Sequence, residues 1–207
     1  MRVTILGCGT SGGVPRLGGK QGKGEWGAAD PSDPRNRRRR CSILVQDGGK
    51  TVLVDTSPDV RSQLLDAEVE RVDAVIWTHE HADQVHGIDD LRPYAQRQGQ
   101  IEAWADRRTL DVLMRRFGYV FETESIYHAL YDVREIRGPF AAAGFGAGAD
   151  AIFIHRKEKK SRKCKNHTCC NRFTGRSCGL NDVVFKNGCF EKFPSNGNGQ
   201  HGNRNRS

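Results

Sequence analysis

His79-Glu-His81-Ala-Asp83 gathers three ligand-type side chains within five residues, immediately after the apolar run Asp73-Ala-Val-Ile-Trp-Thr78. Imidazole is the commonest protein ligand for zinc, and one ion needs three or four donors brought together in space. Two histidines one residue apart turn the same way only on extended or looped backbone. On a helix that spacing puts them on different faces. The motif therefore belongs at the end of a strand. Asp83 adds a carboxylate two positions further on. Burying three such groups without a metal or strong pairing would be costly, so a metal site is the expected chemistry, and a solvated polar loop is the plainer alternative.

The elements that must position this motif can be read around it. Residues 2–6 form a short buried strand that runs into the loop Gly7-Cys-Gly-Thr-Ser-Gly-Gly13. A glycine-rich, charged excursion follows to residue 40, with Asp30-Pro-Ser-Asp-Pro34 marking irregular surface chain. Residues 42–46 and 51–55 are β-branched apolar runs joined by Asp47-Gly48-Gly49, a hairpin signal. Ser57 is expected to cap a helix with Pro58 at its first position and Val60, Leu64 and Leu65 on its apolar face. Residues 73–78 are the buried strand that delivers the histidines. A helix over about 88–94, a strand over 101–105, and a helix capped by Asp106 with Leu110, Leu113, Met114 and Phe117 on one side complete the series. Strands alternating with helices indicate a layered domain. Cys8 and Cys41, at or beside strands, are expected to be small buried packing residues.

Thr78-His-x-His-x-Asp83 resembles the signature of the metallo-β-lactamase superfamily of binuclear metallohydrolases. The wider match is more specific. Val3-Thr-Ile-Leu-Gly-Cys-Gly-Thr-Ser-Gly-Gly-Val-Pro15, Asn36-Arg-Arg-Arg-Arg-Cys-Ser-Ile-Leu44, Val54-Asp-Thr-Ser-Pro58 and His86-Gly-Ile-Asp-Asp-Leu-Arg92 are similar to the cyclic-phosphodiesterase branch associated with phosphonate breakdown. The resemblance covers residues 1–137. It implies an α+β protein with the αββα sandwich fold, whose C-terminal half is incomplete or replaced in this chain. It also implies two divalent ions, zinc or manganese. His79 and His81 would hold the first ion and Asp83 the second, with Asp83 thereby in the catalytic machinery. Asp55 would orient a ligating histidine from behind. The implied reaction is hydrolysis of a phosphodiester, with a metal-bound hydroxide as nucleophile.

Two positions depart from that pattern. The family usually has a histidine after the aspartate, where this chain has Gln84. An amide oxygen in that place favours harder ions such as Mn²⁺ over Zn²⁺. His86 could replace the missing imidazole only with a shifted loop and is expected to be a supporting or structural residue. The family draws its remaining ligands from the second half of the domain, where His167 and Asp182 are the only faint candidates.

Composition breaks near residue 154. Residues 1–154 carry 20 Lys+Arg and 22 Asp+Glu, whereas residues 155–207 carry 13 and 3, a net charge of +10. Asn occurs once before the break and eight times after it, and five of the seven Cys lie beyond it. The expected organisation is therefore the N-terminal half of the fold over 1–154 and a basic, Asn- and Cys-rich tail over 155–207. That tail is read either as chain that cannot build a core or as unrelated coding sequence read in the wrong frame. Its cysteines include no Cys-x2-Cys pair, which argues against a zinc module that binds nucleic acid.

The four arginines at 37–40 could contact substrate phosphate, Arg37 and Arg38 foremost, or form a solvated edge. No aromatic residue interleaves with them, so nucleic acid is not the expected partner. A small phosphodiester or nucleotide-like molecule is, and a homodimer could complete the site. Gly7-x-Gly9-x-x-Gly12 lacks the helix and acidic residue that a dinucleotide fingerprint needs; its glycines are expected to let backbone pass close under the metal site. No apolar run reaches the roughly 18 residues of a membrane span, and a cytoplasmic location is expected. Three rival functions remain: a truncated, inactive homologue, a tRNA 3′-processing type of nuclease, and a nucleic-acid-binding protein acting through the basic tail.

Overall fold

The computed structural model describes residues 1–122, 128–138 and 140–144, together with three strands between residues 152 and 191. A six-stranded sheet organises the first part, in the order β1 (Arg2–Gly7), β2 (Ser42–Asp47), β3 (Lys50–Val54), β4 (Ala74–Ile76), β5 (Ile101–Ala105), β6 (Tyr131–Glu135). The pairs β1/β2 and β2/β3 are antiparallel, and β3 to β6 run parallel. The β2/β3 hairpin pairs Asp47 with Lys50 across Gly48 and Gly49, which have φ of 51° and 76°. Two successive positive φ values are what a two-residue hairpin turn needs, and glycine supplies them without steric cost.

Parallel neighbours need crossovers, and helices make them. α1 (Val60–Asp66) links β3 to β4. α2 (Ala82–Val85), a 3₁₀ turn (Ile88–Leu91) and α3 (Arg92–Gln98) link β4 to β5, and α4 (Arg107–Phe117) follows β5. Asp106 caps α4 as expected, its carboxylate accepting from Thr109 N at 2.7 Å. α1 begins later than expected. Asp59 holds the cap position, while Ser57 Oγ accepts from Asp59 N at 3.2 Å. Val60 and Leu64 face inward as expected, but Leu65 is 62% exposed and Gln63 takes the third buried position, one turn on from Val60.

The central strands β2, β3 and β4 are dry on both faces. Leu44, Leu53, Val75, Trp77 and Ala103 face the helices and pack with Val60, Leu64, Leu91 and Leu113. Ile43, Val45, Val52, Val54, Ala74 and Ile76, alternating with them along the strands, form a second cluster with Ala142, against which Phe140 and Trp104 pack. A sheet buried on both sides reads as near-continuous apolar strands. A second sheet joins β7 (Ile152–Ile154) in parallel to β8 (Val183–Lys186), and β8 in antiparallel to β9 (Cys189–Glu191). Among the described residues no helix is long and apolar enough to cross a membrane.

Candidate metal centre

The motif sits just beyond the C-terminal end of β4, at the edge where the chain also leaves β3 and β5. Pockets and sites in parallel sheets collect at that edge because every crossover loop starts there. His81 has extended backbone (φ −72°, ψ 150°) and precedes α2, which carries Asp83 in its first turn. The rings of His79 and His81 meet edge to face with centroids 4.8 Å apart. One ligand atom from each of His79, His81 and Asp83 lies within 4.8 Å of the others. Donors around one tetrahedral zinc stand roughly 3.4 Å apart, given bonds of about 2.1 Å. The three residues therefore fit a divalent ion after small side-chain rotations.

Asp55 stands behind this group. It has φ of 62°, in the left-handed region that aspartate tolerates better than most residues. Its carboxylate accepts from Thr78 N at 2.8 Å and from Thr78 Oγ1 at 2.8 and 3.0 Å. Thr78 Oγ1 lies 2.9 Å from His79 Nδ1. A hydroxyl has one proton to give, and when the Asp55 carboxylate is ionised it takes that proton. The hydroxyl then accepts from His79 Nδ1–H, which leaves Nε2 with its lone pair. Thr78 is thus the relay between Asp55 and His79, a role its sequence position does not announce. Burial pushes the Asp55 carboxyl up to about 7; the Thr78 hydrogen bonds oppose the rise, and the neighbouring Asp83 carboxylate adds to it.

Gln84 is buried, and its Nε2 donates to Asp83 Oδ2 at 3.1 Å. Among the described residues its Oε1 is buried without a hydrogen-bond partner. Turning the amide over would set that oxygen against a carboxylate oxygen, so the orientation stands. The residue next to Asp83 thus carries a buried oxygen lone pair. His86 is exposed and lies edge-on to Phe117, with centroids 5.9 Å apart, outside the cluster of three. His167 and Asp182 lie outside the described residues.

The arginine run is largely committed to structure. Arg40 makes a two-point pair with Asp59 (3.0 and 2.7 Å), and Arg39 Nη1 reaches Asp66 at 2.7 Å. Arg37 is exposed and lies over the Trp26 ring, 5.2 Å from its centroid. Arg38 Nη1 donates to Cys8 Sγ at 3.1 Å. β1 runs parallel to β3 in direction, so the long segment that leaves it starts at the same edge of the sheet as His79. Gly7 gives close approach to the backbone of Arg39 and Arg40, and Gly9 to that of Arg38 and Arg39, not to the metal cluster as expected. A side chain at either position would collide with those carbonyls. Cys8 is exposed and Cys41 half-buried, so neither is the buried packing residue expected, because the chain leaves the sheet at Cys8 and has not yet entered it at Cys41.

Comparison with known proteins places this geometry. A Porphyromonas gingivalis protein named octanoyltransferase is 40% identical over 122 residues, 58% of this chain and 24% of that protein. Ribonuclease Z of a Bradyrhizobium species is 40% identical over 62 residues, 29% of this chain and 21% of that enzyme. A crystal structure of a diphosphatase from the PhnP family aligns with a TM-score of 0.55 and 36% identity, covering 65% of this chain and 50% of that one. The chain thus spans about a quarter of those sequence relatives and half of the solved one. The family described as Beta-lactamase superfamily domain matches residues 50–173, from β3, which leads into Asp55, through the histidine motif and past residue 154. With more than half of its length matched, and with the histidine motif at the sheet edge, the chain belongs to the metallo-β-lactamase superfamily and is related to its PhnP-type members.

Proposed function

We propose that this chain is a metal-dependent hydrolase of phosphodiester bonds. The convergence of His79, His81 and Asp83 within 4.8 Å carries the reading. A divalent ion held there would supply a water of lowered pKa and neutralise charge on the phosphoryl oxygens. His79 offers Nε2 because Thr78 and Asp55 hold its other nitrogen. His81 and Asp83 complete three donors, and the orphaned Gln84 Oε1 is a fourth of oxygen type, which tilts the set toward Mn²⁺ relative to an all-imidazole site. Arg37 and Arg38, on the segment that starts at the same sheet edge, are the proposed contacts for substrate phosphate. The likeness to a diphosphatase and to a ribonuclease supports a phosphate linkage as the bond broken.

Elemental analysis of the dialysed, monodisperse chain tests the metal, and hydrolysis of bis(4-nitrophenyl) phosphate tests the reaction. One to two equivalents of metal and turnover that falls to background in His79→Ala are expected. Turnover unchanged in that variant would overturn the proposal. Metal far below one equivalent, with no turnover, would establish the inactive homologue instead.

A further inference from the structure

Between the two histidines stands Glu80, 8% exposed and not one of the three clustered donors. Extended backbone sends successive side chains to opposite sides, so bringing His79 and His81 together sends Glu80 the other way, into the protein. There its Oε1 accepts from Arg108 Nη2 at 3.0 Å, and its backbone carbonyl accepts from Arg116 Nη1 at 3.0 Å. Both arginines belong to α4, about two turns apart. That helix is itself anchored, capped by Asp106 and seated through the buried Leu110 and Leu113. One rigid element therefore grips the middle residue of the motif by its side chain and by its main chain.

We propose that Glu80 is a positioning residue, and that the Arg108–Glu80–Arg116 clamp sets the rotation of the loop so that the two imidazoles converge. The inference rests on the reading of His79, His81 and Asp83 as metal ligands. It separates from simple electrostatics by sign. Arg108→Ala removes a positive charge near a dication site, and charge alone would make metal binding tighter. Loss of positioning makes it weaker. The Arg108 side chain is 71% exposed but that of Glu80 only 11%, so removing the arginine also takes a partner from a buried carboxylate and lowers stability, and metal binding is therefore compared at a temperature where both chains are folded.

The experiment is Co²⁺ titration of the full, chelator-stripped chain, followed by the visible absorption of the bound ion and by competition with a chromophoric chelator. Arg108→Ala is expected to bind Co²⁺ roughly tenfold more weakly, at the low end of what supporting residues contribute to metal sites. Its absorption envelope should change in samples whose far-UV circular dichroism matches the folded parent. Arg108→Lys, which keeps a cation in reach of Glu80, should restore most of the affinity. Equal or tighter Co²⁺ binding by Arg108→Ala, with the parent binding normally, overturns the clamp alone. No Co²⁺ binding by the parent removes the metal-site reading, and the clamp with it.

Discussion

A single carboxylate shows how closely the site is tied to the fold. Asp55 is buried, held on left-handed backbone, and bonded to the residue that orients His79. Its carboxyl ionises in the folded chain at about 7, against an ordinary value of 3.8. A carboxyl whose pKa is raised by folding binds more protons folded than unfolded between those two values, so stability falls as pH rises through that window and is level above it. The metal-free chain should therefore lose on the order of 4 kcal/mol from this group between pH 4 and pH 7. Asp90, also raised by burial, acts in the same direction. Asp59 and Asp73 do not contribute there. Burial alone would raise them, but hydrogen bonds from Arg40 and Arg71 outweigh it and hold both below the ordinary value. Urea denaturation of Asp55→Asn against the parent, each with chelator present, isolates the effect. The parent's curve should steepen its decline over pH 4 to 7 relative to the variant, and parallel curves would refute the assignment.

At the scale of the element, α2 carries Asp83 and Gln84 on barely one turn of helix, too short to hold its place by itself. Two backbone bonds fix it from below: Thr56 N donates to Gln84 O at 2.8 Å, and Gly87 N to Thr56 O at 2.9 Å. Trp77 Nε1, buried, donates to Thr56 Oγ1 at 2.9 Å and locks the same threonine to β4. Gly87 must be glycine because a Cβ there would run into the Ser57 carbonyl and the Val60 side chain. Gly87→Ala should cost about 1–3 kcal/mol by overpacking and should also weaken metal binding, since the segment that must move carries Asp83. Thermal melts with and without Zn²⁺ check both parts. A loss of stability with unchanged metal affinity would show that α2 is not held through this contact.

At the scale of the whole sheet, the central strands are dry on both faces, and this decides how the motif can be presented. Here Val75 and Trp77 are locked on the helix side while Ala74 and Ile76 are locked on the other. A shift of one residue would exchange the two sets. Leu53→Ala and Ile76→Ala, on opposite faces, should each cost about 2–5 kcal/mol, read as shifts in the urea midpoint at unchanged slope. A cost near zero for Ile76→Ala would mean that its face is not packed as described.

Much of this was legible in the chain itself. The β-branched runs, the Gly48-Gly49 turn, the Asp106 cap and the histidines at a strand end depend on local backbone preference and on side-chain periodicity, which act between neighbours in sequence. The His79, His81 and Asp83 group was visible for the same reason, since all three lie within five residues. Other features depend on residues far apart in sequence. Asp55 lies 23 residues from Thr78, and Arg108 lies 28 from Glu80. The later start of α1, the exposure of Leu65 and Cys8, and the capture of Arg39 and Arg40 by α1 follow from how crossovers close over the sheet. Spacing and composition specify which side chains can do the chemistry; only packing across the parallel strands decides which distant partners hold them in place.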